Sequence, residues 1–100
     1  MAVVFLSITP IGTGTPSVSR YVAGVEKILR QSGLKNQLTA MGTIIEGDLD
    51  EILQVVRRMH EHPFTQGAVR VSTLVKIDDR RDKEHTIEGK MRSVEEKLRG

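Results

Sequence analysis

The chain has no cysteine and no tryptophan, and only three aromatic residues among its 100. Without cysteine there is no disulfide framework, no thiolate metal site and no cysteine nucleophile. No apolar run is long enough to span a bilayer. The apolar start, Met1 to Leu6, lacks the basic flank and small-residue cleavage site of a signal peptide. A cytoplasmic chain, neither spanning nor bound to a membrane, is therefore expected. Charge of one sign is also lacking. Fifteen Lys and Arg face thirteen Asp and Glu, leaving a net charge of +2 despite a pI near 9.2. The signs are interspersed, so no field for gathering nucleic acid is evident. Internal repeats and low-complexity tracts are absent too, and the length suits a single domain over residues 1–100.

What is present is patterning. Residues 2–10 alternate, with Val4, Leu6 and Ile8 on one side and Val3, Phe5, Ser7 and Thr9 on the other. Period two predicts a strand. It runs into a stretch dense in hydroxyls, Ser7 to Ser19, with Pro10 as a stop and Gly12 and Gly14 as turn residues. Thr15 and Pro16 suit the opening of a helix as cap and first residue. Its apolar stripe is Val18, Tyr21, Val22, Val25, Ile28 and Leu29, and Gly33 suits a left-handed C-cap. Residues 36–47 predict an antiparallel pair in which Gly42 makes the turn or a bulge. Asp48 with Glu51 has the form of a capping box. The second helix carries Leu49, Ile52, Leu53, Val56, Met59 and His60, with Pro63 as its end and Phe64 tucked beneath it. Residues 68–77 predict a further strand, and Asp78 to His85 a solvated charged loop. Thr86 then caps a last helix bearing Ile87, Met91, Val94 and Leu98. Gly89 weakens that helix by about 1 kcal/mol relative to Ala, so it needs a partner surface.

The order is βαββαβ plus a terminal helix. That is the split βαβ, or ferredoxin-like, pattern: an α+β sandwich on an antiparallel sheet. Both main helices must cover one sheet face. The other face would carry Val3, Phe5, Ser7, Thr9, Thr39, Met41, Glu46, Arg70, Ser72 and Leu74. That set is too apolar to face water and too polar to be plain core. It predicts an oligomer interface holding a polar pocket.

Several chemistries lack their residues. Gly12-Thr13-Gly14 is not followed by the Lys-Ser/Thr of a phosphate loop. His60 and His62, two apart, do not share a helix face, so no metal site is expected. No nucleophile motif or base pair supports catalysis, so no catalytic residues are assigned. The open face offers only Phe5 for base stacking, which argues against an RNA-binding sheet. Glu46 on that face needs a partner if buried, and Arg70 is one candidate.

Three segments carry a resemblance. They are Pro-Ile-Gly-Thr-Gly-Thr-Pro-Ser-Val-Ser-Arg-Tyr-Val at 10–22, Thr-Ala-Met-Gly-Thr-Ile-Ile-Glu-Gly at 39–47, and Gly-Ala-Val-Arg-Val-Ser-Thr with Lys-Ile-Asp-Asp-Arg-Arg-Asp-Lys at 67–73 and 76–83. In these the chain resembles the small thiamine-binding, or YkoF-like, proteins over nearly its whole length, with Ala40 where members often have proline. The resemblance implies a ferredoxin-like fold, dimers paired into homotetramers, and binding of thiamine (vitamin B1) or its hydroxymethylpyrimidine moiety without chemistry upon it. No cofactor is implied. The ligand-binding candidates are Ser7, Thr9, Thr39, Met41 and Glu46 of the face outlined above, with Thr43 of the hairpin and Thr13 of the glycine loop. The hydroxyls can donate and accept, Met41 can lie against a flat ring, and Glu46 can accept from an aminopyrimidine edge. An oligomer without a thiamine ligand is the alternative.

Overall fold

In the computed structural model, described over residues 1–12, 14, 19–82 and 86–99, seven elements follow in order. They are β1 (Ala2–Pro10), α1 (Ser19–Ser32), β2 (Lys35–Leu38), β3 (Thr43–Gly47), α2 (Leu49–Thr65), β4 (Val71–Asp79) and α3 (Ile87–Arg99). The sheet order is β2-β3-β1-β4, with every neighbouring pair antiparallel. This is the expected ferredoxin-like sandwich with an added C-terminal helix. The proposed Thr15-Pro16 helix start, Val18, Thr13 and His85 lie outside the described residues.

The alternation in β1 decides the layering. Val4 and Leu6 are buried under the helices with Ile45, Val25, Leu29, Ile52, Val55 and Met59. Pairing registers put Val4 beside Ile45 and Ile77, and Leu6 beside Thr43 and Val75. The opposite face aligns Val3 with Glu46 and Asp78, and Phe5 with Ile44 and Lys76. Helix α3 lies on that second face.

Local chemistry sets the ends. Asp48 accepts from the Glu51 N–H at 3.2 Å, the cap the spacing predicted. Thr86 accepts from Gly89 N–H at 2.9 Å and starts α3 in the same way. Gly33 has φ +77°, which lets the chain leave α1 without a Cβ clash.

Four expectations need correction. Pro63 does not end α2, which continues to Thr65. A proline in the last turn forfeits one N–H bond, while its carbonyl still accepts from Gln66 and Ala68. Phe64 is consequently on the helix surface, edge-on to His60 with ring centroids 5.6 Å apart, and Leu53 is also exposed while Val55 is buried. Finally, β4 begins at Val71 and takes in Asp78 and Asp79, which the charge pattern assigned to a loop. Its limits are those of its partner: β1 spans nine residues, and β4 pairs along all of them, from Val71 opposite Pro10 to Asp79 opposite Ala2.

Candidate functional site

The turn between β2 and β3 is built by one hydroxyl. Thr39 Oγ1 donates to the Gly42 carbonyl at 2.7 Å and accepts from the N–H groups of Met41 and Gly42 at 3.3 and 3.2 Å. The turn presses on β1, because Gly42 has no side chain. A Cβ there would fall 2.7 Å from the Leu6 carbonyl oxygen and from the Phe5 ring. This close approach leaves a cavity of about 190 Å³ between the turn, β1 and helix α1, floored by Met59 and Pro63 of α2.

One polar pair stands in its otherwise largely apolar wall. Thr43 Oγ1 donates to Glu26 Oε1 at 2.6 Å. Thr43 is buried and Glu26 half-buried. Among the described residues no lysine or arginine pairs with Glu26. The carboxylate therefore keeps acceptor capacity, and the Thr43 hydroxyl can still accept. Tyr21, buried with the Arg20 guanidinium 5.0 Å from its ring centroid, supplies a flat wall on the α1 side. Such a place can accept hydrogen bonds from a donor-bearing flat ring. Its volume lies below the roughly 300–1,000 Å³ of pockets that enclose a whole drug-sized ligand, so it holds a ring and not a longer molecule.

The residues singled out from sequence divide between places. Ser7, Thr39, Met41 and Thr43 all border this cavity. Thr9 does not; it is exposed on the open face opposite Ser72. Thr13 lies outside the described residues. Glu46 and Thr43 point to opposite faces of β3, since they are three residues apart on a strand of period two. Glu46 is on the open face as expected, while Thr43 faces the helices, so the two do not share one site. Glu46 is 7% exposed, and its Oε2 accepts from the Ile87 N–H at 3.2 Å. Lys35 Nζ stands 3.9 Å from the same oxygen and also pairs with Glu88. Arg70 is not its partner. Arg70 immediately precedes β4 at the far end of the sheet, its carbonyl accepting from the Ile11 N–H, about 25 Å along the strands from Glu46. The two histidines of α2 serve different contacts: His60 Nδ1 is 2.6 Å from Thr73 Oγ1, and the His62 ring lies where a side chain at Gly24 would be.

With this geometry in view, a family model described as thiamine-binding protein matches residues 4–95. The chain belongs to the thiamine-binding protein family. Within this family it is similar to YqgV of Bacillus subtilis, with 50% identity over 102 residues and 98% of each chain covered. It is similar to the solved hypothetical protein MJ1052 of Methanocaldococcus jannaschii, with a TM-score of 0.86, 41% identity, and 95% and 96% of the two chains covered. A Thermotoga maritima protein put forward as one of thiamine biosynthesis or salvage shares the fold, with a TM-score of 0.75 at 21% identity over 93% and 97% of the two chains.

For this thiamine-binding family member, sequence reasoning missed Glu26 and assigned Tyr21 only to packing. The signal for Glu26 was present. It lies four residues after Val22 and three before Leu29, so it falls on the helix stripe that faces the sheet. A carboxylate there must be paired or must face a cavity.

Proposed function

We propose that the chain is a non-catalytic binding protein that takes the aminopyrimidine ring of thiamine, or free hydroxymethylpyrimidine, in the cavity between α1 and the β2–β3 turn. The observation carrying this reading is the Glu26–Thr43 pair, a carboxylate with acceptor capacity left over in a largely apolar, ring-sized space. An aminopyrimidine offers an exocyclic amine, and an N–H when its ring is protonated. Glu26 accepts from that edge, in a charge-assisted contact in the protonated case. The Thr43 hydroxyl accepts a second hydrogen bond. Tyr21 and Met59 lie against the ring faces. The thiazolium of thiamine extends through the mouth, and its positive charge is attracted by the same carboxylate.

Support also comes from the family's description as a binding protein and from the salvage role put forward for the Thermotoga maritima relative. In the proposal the ligand is bound without turnover, in keeping with the family's description as a binding protein. At the mouth, Leu38 and Met41 are exposed, Met41 at 81%. In the proposal a second copy covers them, placing the pocket at a subunit boundary of a homo-oligomer, a dimer of dimers working in the cytoplasm.

A thermal-shift panel tests the ligand. Thiamine and hydroxymethylpyrimidine should raise the melting temperature in a concentration-dependent way, because they bind the folded state alone. Pyrimidines lacking the amino group should not. No shift with either compound refutes the reading, and mass spectrometry showing conversion of the compound refutes its non-catalytic part.

A further inference from the structure

The side chains bordering the α1 cavity are rich in acceptors and poor in free donors. Among the described residues, no lysine or arginine borders it. Thr39 has spent its hydroxyl hydrogen on the Gly42 carbonyl, and Thr43 has spent its own on Glu26. Ser7 falls on the open-face side of the β1 alternation, away from Leu6 and Ile8. Tyr21 is left. It is 6% exposed and borders the cavity. Among the described residues its hydroxyl has one hydrogen bond, from Arg20 Nη2 at 3.2 Å.

That bond decides what the hydroxyl can do. A guanidinium only donates, so the Tyr21 oxygen is the acceptor and its own hydrogen is still to be placed. Accepting from a cation polarises the O–H group and strengthens it as a donor. Arg20 is exposed and forms no ion pair among the described residues, so its charge acts on the phenol undiminished by a carboxylate. A buried donor with no acceptor is unfavourable. An acceptor carried in by the ligand removes that penalty.

We propose that the Tyr21 hydroxyl is the specificity-determining donor of this site, and that it reads an oxygen on the exocyclic methylene carbon of the pyrimidine. Arg20 is its positioning residue. The inference rests on the ligand reading above and deepens it. Hydroxymethylpyrimidine carries an alcohol oxygen on that carbon, whereas thiamine carries the thiazolium nitrogen there. A phenol laid against the ring face puts its hydroxyl beyond the rim of the ring, outside the ring plane in which Glu26 accepts. A hydroxymethyl oxygen can turn out of that plane to meet it, and a ring nitrogen cannot. The volume of about 190 Å³ suits the same ligand, a single ring with a one-carbon alcohol.

The test is isothermal titration of three compounds: hydroxymethylpyrimidine, its analogue with methyl in place of hydroxymethyl, and thiamine. Wild type should prefer the alcohol to the methyl analogue by about tenfold, the value of one hydrogen bond. Tyr21→Phe keeps the ring and should bind those two equally, with thiamine affinity unchanged. A packing role alone would weaken all three together, and that result overturns the proposal. Arg20→Met, at an exposed position, keeps the fold even if Tyr21→Phe does not, and should shrink the preference for the alcohol. Tyr21 is the chain's only tyrosine and there is no tryptophan, so intrinsic fluorescence follows this wall alone and should change as the alcohol binds. A wild type that binds the compounds without distinguishing alcohol from methyl analogue refutes this inference and leaves the ligand reading standing. So does a preference that survives Tyr21→Phe, or one that Arg20→Met leaves unmoved. A wild type that binds none of the three refutes both.

Discussion

The carboxylate of Glu46 on β3 accepts the backbone N–H of Ile87, 41 residues further along the chain, at 3.2 Å. One strand residue thereby caps a helix on the opposite side of the sheet from α1 and α2. The first N–H groups of a helix have no partner within it, and burying one unpaired is unfavourable.

Replacing Glu46 with Ala should therefore lower stability by about 1–3 kcal/mol, the penalty for a buried donor left unsatisfied. Hydrogen exchange should rise in the first turn of α3 ahead of the rest of the chain. Thiamine affinity should change little, since Glu46 borders neither the α1 cavity nor its mouth. Denaturant unfolding with exchange mass spectrometry measures the first two effects.

Gly42→Ala should be costly for a different reason. The added methyl collides with the Leu6 carbonyl and the Phe5 ring. Backbone cannot move aside as a flexible side chain can, so a loss of about 1–3 kcal/mol is expected from overpacking. The turn carrying Thr39 would lift from β1, and ligand affinity should fall together with stability. A melting temperature equal to that of the wild type would contradict the close approach.

The exposed Lys35–Glu88 pair gives a pH signature. The Lys35 ammonium beside Glu88 holds its carboxyl below its ordinary 4.5. The hydrogen bond to Glu88, aided by the charges of Glu46 and Glu88, holds Lys35 above its ordinary 10.5. For the depressed carboxyl, the stabilisation is complete above 4.5 and disappears as pH falls through the lower folded value. For the raised amine, it is complete below 10.5 and disappears as pH rises through the higher folded value. Docking of α3 should thus be insensitive to pH across the neutral range and loosen at both extremes. Because both partners are exposed, the effect should also shrink with added salt. Exchange rates at Ile87 and Glu88 across a pH and salt series check this.

Much of the architecture was legible because β1 alternates strictly. Val4 and Leu6 against Val3 and Phe5 established which face the helices cover. Asp48, Thr86 and Gly33 marked helix ends through local chemistry that needs no tertiary context. The extent of β4 was not legible, because Asp78 and Asp79 are strand residues only by virtue of pairing with Val3 and Ala2. The site divided for a similar reason. Thr39, Met41 and Thr43 were recognisable as a group, and they do border one cavity. Glu46 follows them so closely that it reads as a member, yet the alternation of β3 turns it to the other face. The spacing of Glu26 places it on the sheet-facing stripe of α1, but its pairing with Thr43, 17 residues away on another element, was not legible.

Thr43→Val separates the roles of that pair. Valine keeps the shape and removes the hydroxyl, leaving the Glu26 carboxylate half-buried without its internal donor. Affinity for hydroxymethylpyrimidine should weaken by about tenfold, equivalent to one hydrogen bond of roughly 1.4 kcal/mol. The effect on secondary structure should be nil by circular dichroism.

The most direct test is isothermal titration of hydroxymethylpyrimidine and thiamine into the wild-type chain and Glu26→Gln. The amide keeps the size and one acceptor oxygen but removes the charge. Wild type should bind both compounds, and Glu26→Gln should lose about ten- to a hundredfold in affinity for each, as expected for a hydrogen bond to a charged group. Equal affinities in the two proteins would contradict the assignment of the cavity beside Glu26 as the thiamine site.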